Sequence, residues 1–298
     1  MRTLIAAVLI LSRGFCLAED FLADTNAIKS LTVEQAADLV AKFKGNELFL
    51  NGLTSIDKDV AKELANCRVW SLRLNGLTSI NKDVAKELAK YKGKDRELYG
   101  LTSINKALLK ELAKGRGRDL WLNGLTSIDK DVAKELAKRG GPLHLYDLTL
   151  IDKDIAEGLC RGEFMFDYAL RLNGLTSIDK DVAKELGKFE GEYLSLRGLT
   201  VIDKDVAQGL AKYQYTMRLD GLTKINWDVA KELGEGKLRD LGLEGLTSIN
   251  KDIAQDLAKF KGRALFLNLY PPSIDKAVIK ILKSNPRIKS GGFRKTKP

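Results

Sequence analysis

The chain has 298 residues, a formal charge of +10 and a pI of about 9.3, a balance that by itself invites a nucleic-acid partner. The surplus is local: eight basic residues and no acid lie from Lys276 onward, and Arg2 and Arg13 lie in the first eighteen, which leaves forty basic against forty acidic side chains between. A surface that tracks a phosphate backbone spreads Lys and Arg along its length, so this distribution argues against nucleic acid as the partner.

Residues 1–18 read as a secretory signal peptide, with Arg2, the apolar run Leu4 to Leu11, and small side chains at Cys16 and Ala18, the two sites a signal peptidase reads. A lipoprotein reading through Cys16 fits less well, because Phe15 stands where a small residue is wanted. The run is too short to span a bilayer, so the expectation is a secreted or periplasmic/cell-envelope protein with no transmembrane segment. Residues 19–45 hold half a repeat and are predicted to form an N-terminal helical cap. Thr32-Val33-Glu34-Gln35 has capping-box spacing, and Ala36, Leu39, Val40 and Phe43 form a helical stripe.

Residues 46–283 are about ten copies of one cassette, seen in full at Leu172-Asn173-Gly174-Leu175-Thr176-Ser177-Ile178-Asp179. Its anchor leucine recurs from Leu53 to Leu246 at steps of 23 to 27 residues, most often 24, the period of a solenoid. Leu-x-Leu, as in Leu48-Phe49-Leu50, alternates with period two and predicts a short strand. Asp or Asn follows (Asp57, Asn81, Asn105, Asp129, Asp152, Asp179, Asp203, Asn226, Asn250, Asp275), predicting a helix N-cap. Apolar residues three and seven positions past each cap share one helical face. A three-residue strand and a ten-residue helix are each marginal alone, so successive copies are expected to stack flank to flank. Gly follows the Asn position in eight copies, with Asp147 and Leu269 as exceptions, and a left-handed residue leaving the strand is expected there. Residues 161–168, with Phe164, Met165 and Phe166, form an insertion expected to tuck against the core. Residues 284–298 are read as a frayed basic tail that keeps the end soluble.

Leu-x-Leu-Asn-Gly-Leu-Thr-Ser-Ile resembles the leucine-rich repeat, in the bacterial variety with a helical convex side, over Leu31 to about Leu282. The resemblance implies an α/β solenoid with parallel strands on the concave face and short helices on the convex face. The family pattern puts a buried Asn three residues after the second strand leucine. Here that position is Leu (Leu53, Leu77, Leu125), and Asn51, Asn75 and Asn123 come two residues earlier, so a dry leucine row is expected in place of an asparagine ladder.

Little in the chain suggests chemistry. There is one histidine, His144, and no Gly-x-Ser-x-Gly, His-Glu-x-x-His or phosphate-loop pattern, so neither catalytic residues nor a cofactor is expected. Asp57-Lys58-Asp59 and its copies look like the start of a calcium loop but lack its glycine and distant glutamate, so no metal site is expected. Cys67 and Cys160 stand four coils apart, roughly 19 Å along a sheet, and are expected to be free thiols. The residue between the two strand leucines varies while its surroundings do not: Phe49, Arg73, Glu97, Trp121, His144, Arg171, Ser195, Arg218, Gly242 and Phe266. Alternation points this row away from the core, and Arg, Trp and Tyr are common in binding hot spots. The leading expectation is a non-enzymatic module that binds a protein, or a cell-surface component, through Phe49, Arg73, Glu97, Trp121, His144, Arg171, Ser195, Arg218 and Phe266. His144 is read as a surface contact. The alternative is a structural coat protein whose solenoids pack against one another without a discrete ligand.

Overall fold

The computed structural model of the protein describes residues 24–114, 119–138, 142–162, 168–269 and 274–290. The signal-peptide residues 1–18, the core of the insertion at 163–167 and the last residues of the tail, 291–298, lie outside them. Among the described residues an 11-stranded parallel sheet runs in strict sequence order. Its strands are β1 (Glu47–Phe49), β2 (Ser71–Arg73), β3 (Asp95–Glu97), β4 (Asp119–Trp121), β5 (Leu143–His144), β6 (Ala169–Arg171), β7 (Tyr193–Ser195), β8 (Thr216–Arg218), β9 (Asp240–Leu243), β10 (Ala264–Leu267) and β11 (Ile288–Ser290). A short helix joins each strand to the next between β1 and β11, and Val33–Lys42 covers the end ahead of β1.

The helices start where a side chain caps them. Asp57, Asn81, Asn105, Asp152, Asp179, Asp203, Asn226 and Asn250 each accept from the backbone N–H three residues on, and Asp129 does the same at 2.7 Å. Thr32 and Gln35 close a reciprocal capping box on Val33–Lys42, as their spacing predicts. The core is a set of parallel leucine rows, with Leu48, Leu50, Leu53 and their equivalents at or near 0% exposure. A column of alanines, from Ala61 and Ala85 to Ala230 and Ala254, is equally buried and brings neighbouring helices close. Strands pair about 4.8 Å apart whereas packed helices need about 8–10 Å, so a stack of both bends with its strands on the inner side.

Coil-to-coil contact overturns two expectations. None of the glycines after the strand has a φ in the left-handed range, and their reason is space. A Cβ at Gly76 would stand 2.2 Å from the Asn51 carbonyl oxygen, and one at Gly124 would stand 1.8 Å from that of Tyr99. An asparagine ladder also exists, on the strand face and beside the dry leucine row. Asn26 Oδ1 accepts from Asn51 N at 3.1 Å, Asn51 Oδ1 from Asn75 N at 3.0 Å, and Asn75 Oδ1 from Tyr99 N at 3.1 Å. Asn173 serves Arg197 N at 3.2 Å, and Asp220 serves Glu244 N at 3.3 Å. Each side chain thereby satisfies an N–H that the strand leaves behind as it turns. Asn123 is the exception: the following coil is a residue short, Asp147 N donates to the Asn123 carbonyl at 3.1 Å, and Asn123 Oδ1 has no hydrogen-bond partner.

Two further departures concern single positions. Arg96 occupies an inward leucine position of β3, level with Leu72 and Leu120, and is 2% exposed. Its guanidinium donates to the Leu88 and Leu112 carbonyls at 3.2 and 3.4 Å, in the last turns of two adjacent helices, where carbonyls lack helical partners. The segment after Ser284, expected to fray, instead contains β11, which pairs with β10 through Leu265 and Ile288. Asn285 anchors it by donating to the Ala258 and Phe260 carbonyls, each at 2.9 Å.

Cys67 and Cys160 are free and buried. Burial pushes the Cys67 thiol from 9.0 up to about 11 and the Cys160 thiol up to about 12. The folded state thus keeps protons that the unfolded chain releases above pH 9, so these groups lower stability as pH rises beyond that point. Urea denaturation across pH 8 to 11 is expected to show this decline, and thiol reagents at neutral pH are expected to label both cysteines only after unfolding. Gly76→Ala is expected to destabilise the fold by about 3 kcal/mol, measured by urea denaturation, because the opposing atom is backbone and cannot step aside.

Candidate functional site

The variable strand residues form one continuous row across the sheet. Phe49 is level with Arg73, Arg73 with Glu97, Glu97 with Trp121, Trp121 with His144 and His144 with Arg171. Arg171 is level with Ser195, Ser195 with Arg218, and the row passes Gly242 to Phe266. The structure therefore brings all nine sequence-predicted residues to one face, in three groups of different character.

At the first strands the row is an ion-paired ledge. Arg73 reaches Glu47 at 3.1 Å and Glu97 at 3.2 Å, while its guanidinium lies 4.5 Å from the Phe49 ring centre. At the far strands it is a denser network. Arg218 is 2% exposed, with Nε 2.7 Å from Asp220 and Nη2 in a short contact with Glu244. Arg197 shares the same Asp220 oxygen at 3.0 Å. Gly242 belongs to this network by its lack of a side chain: a Cβ there would stand 2.5 Å from Arg218 Nε. Ser195, 1% exposed, donates to Asn173 Oδ1 at 2.7 Å.

Between these groups lies an aromatic patch. Trp121 stacks on His144 with ring centres 3.4 Å apart and planes inclined by 13°. Tyr99 stands 6.1 Å from Trp121, and Tyr146 meets Trp121 and His144 edge-on at 6.5 and 5.7 Å. Arg171 lies 5.1 Å from the centre of the Tyr193 ring. His144 is only 4% exposed and its Nδ1 is 3.3 Å from the Tyr146 hydroxyl, so it supports Trp121 from beneath and is not the surface contact expected of it. Glu97, Ser195 and Arg218 are likewise buried because strand spacing presses each row member against its neighbour. Trp121, Tyr99, Tyr146, Arg171 and Tyr193 stay partly exposed. Trp121 Nε1 and Arg171 Nη1 are buried atoms with no hydrogen-bond acceptor. Burial, and after it the Glu97 carboxylate, pushes the Tyr99 phenol well above its ordinary value, and burial does the same for Tyr146, so both remain neutral hydroxyls. Tyr99 and Tyr146 follow the second strand leucine and Tyr193 precedes the first, so they occupy the two rows flanking the variable one.

No family description matches the chain and no curated protein does. Among solved structures it is similar to a chain of the TLR13–ssRNA13 complex, with 18% identity and a TM-score of 0.51 over 84% of this chain and 35% of that one. It therefore spans about a third of the TLR13 chain. It is also similar to a chain of the yeast Rad7 and Elc1 complex, at 17% identity and a TM-score of 0.49, covering 92% of this chain and 79% of that chain. A third likeness is to the Drosophila Toll–Spatzle complex, at 13% identity, 74% and 24% coverage and a TM-score of 0.37. The fold is that of a leucine-rich-repeat solenoid, an α/β architecture with parallel strands inside and helices outside. Among the described residues no helix is long and apolar enough to cross a membrane.

The contrast within the row is measurable. Arg218→Ala leaves two carboxylates around a desolvated gap and is expected to cost about 3 kcal/mol in urea denaturation, whereas Arg171→Ala is expected to cost less than about 1 kcal/mol.

Proposed function

We propose that the chain is a non-enzymatic recognition solenoid, secreted or facing the cell envelope, that binds a protein partner through its strand face at the patch around Trp121. The observation that carries this reading is the patch itself. It is partly exposed, built from the residue types that dominate interface energetics, and holds two buried donors, Trp121 Nε1 and Arg171 Nη1, without acceptors. A buried polar group without a partner is costly, and a partner whose docking turned these side chains outward would supply carbonyl or carboxylate acceptors to both. Phe49, Arg73 and Phe266 flank the patch as peripheral contacts, while Glu97, His144, Ser195 and Arg218 hold the contact residues in place. The compartment follows from the signal-like pattern of residues 1–18.

The test is capture of partners by proximity labelling in the native compartment, followed by affinity measurement with the Trp121→Ala, Tyr146→Ala, Arg171→Ala triple variant. Affinity is expected to fall by at least about a hundredfold, the loss of a hot-spot cluster, in a variant that circular dichroism shows to be folded at the assay temperature. Unaltered affinity in a folded variant would refute the site. Self-assembly that rises with concentration, with no captured partner, would favour the surface-coat reading.

A further inference from the structure

Away from the strand face, the loops that lead from helix to strand at the last coils enclose an open depression of about 500 Å³. Its charged lining is wholly cationic: Lys237, Arg239, Lys261, Arg263 and Arg287, with Tyr215 alongside. The arrangement is imposed by the repeat. Arg239 and Arg263 hold the same position on successive coils, and Arg263 N donates to the Arg239 carbonyl at 2.6 Å. Arg287 stands on the next coil one residue out of that register, since Ile288 pairs with Leu265, and its carbonyl accepts from Leu265 N at 3.0 Å. Lys237 and Lys261 form a second column two residues earlier. Strand pairing therefore sets like charges on a grid of about 4.8 Å.

The counter-charge is almost absent. Asp240, at 0% exposure, lies beneath the grid and binds Arg263 Nε and Nη2 at 2.9 and 2.6 Å. It also stands 3.4 Å from Arg239 Nε and accepts from the Thr216 hydroxyl at 3.0 Å, so its oxygens are fully engaged within the protein. Lys237, Lys261 and Arg287 are without an ion-pair partner among the described residues. Elsewhere the coils match cation to anion across helices, as Lys130 with Asp154 at 3.0 Å and Lys204 with Asp228 at 3.5 Å. Five cations over one buried carboxylate are an exception to the chain's own rule. Guanidinium forks and ammonium groups converging on a concavity are the usual means of holding phosphate or sulfate, and a basic concavity concentrates anions.

We propose that this depression binds a compact polyanion carrying two or three phosphate or sulfate groups. The grid covers two coil intervals, about 10 Å, and the volume falls in the range of small-molecule sites. On the coil before Tyr215 the two columns are continued by Glu190 and Glu192, with Lys188 and Lys212 beside Glu190, so the run of like charges in the columns ends after a few residues. One face of the Tyr215 ring is taken up by Arg239, 5.6 Å from its centre, which leaves less room for a base to stack there.

The test uses inorganic tripolyphosphate as probe and calorimetry on the full chain at about 50 and about 200 mM salt. One-to-one binding that weakens with salt is expected. Lys237→Gln, Lys261→Gln and Arg287→Gln together are expected to weaken it at least about tenfold. Those side chains are exposed and leave the Asp240 network intact, so the fold survives, which circular dichroism checks. Lys62→Gln, Lys86→Gln and Lys134→Gln, the same change of charge on the helix side, are expected to leave binding unaltered. All basic residues after Arg287 remain in both sets, so the difference between the sets reports the depression alone. Parallel titrations with a sulfated disaccharide and with vesicles containing a phosphatidylinositol phosphate identify the source of the anion, each required to show the same dependence on the first triple. No binding of any of the three probes, or equal losses in both triples, overturns the proposal. So does a single-stranded oligonucleotide that binds more tightly than tripolyphosphate and is indifferent to the first triple.

Discussion

The separation between one coil and the next governs this molecule. Backbone pairing sets it at about 4.8 Å, and every side chain that meets its equivalent on a neighbouring coil must fit that distance. Glycine follows the strand because the preceding carbonyl leaves no room for a Cβ. Asparagine precedes it because its side chain is the right length to reach the next coil's N–H. Leucine fills the interior because identical branched side chains stack in register, and alanine lies between most of the helices, with Leu109 in its place once, because a small side chain lets them approach.

The same separation decides what the strand face can be. Side chains projecting from adjacent strands touch whether or not their chemistry suits, so the row has to be composed as a sequence of compatible neighbours. Along this face the solutions differ: charge against charge around Arg73 and Arg218, ring against ring around Trp121, and an omitted side chain at Gly242 where a guanidinium needs space. The result is a surface whose polar members are largely used up in binding one another, apart from the aromatic centre.

How much of this the amino-acid sequence disclosed depends on range. Strands, helix caps, the capping box at Thr32 and the separation of Cys67 from Cys160 rest on spacings within one or two copies, and those were legible. The roles of Gly76, Asn75 and His144 were not, because each is determined by an atom about 24 residues away whose level is known only once coils are aligned. Arg96 passed unnoticed because a cation in an inward leucine position looks like a broken motif until two helix ends appear beside it. The cationic loops of the last coils were hidden by averaging, since a body with equal numbers of acids and bases can still sort them by location. The strand after Asn285 was obscured by the lysines and arginines around it, which describe one face of a strand as readily as a tail.

Near-verbatim copies pose a hazard of their own: during folding, any coil could dock on a non-adjacent twin and bury almost the same leucines. Arg96 bears on this. Its guanidinium Nη1 bridges the carbonyls of Leu88 and Leu112 in the last turns of two adjacent helices, so a mis-threaded stack that separated them would strip both bonds from a buried cation. The one-residue deficits before Leu145 and before Leu219 act alike, since each offsets a full-length coil docked in its place. A polymer of interchangeable parts thus carries a few irregular ones that work as keys, and smoothing them to consensus would trade unambiguous assembly for uniformity.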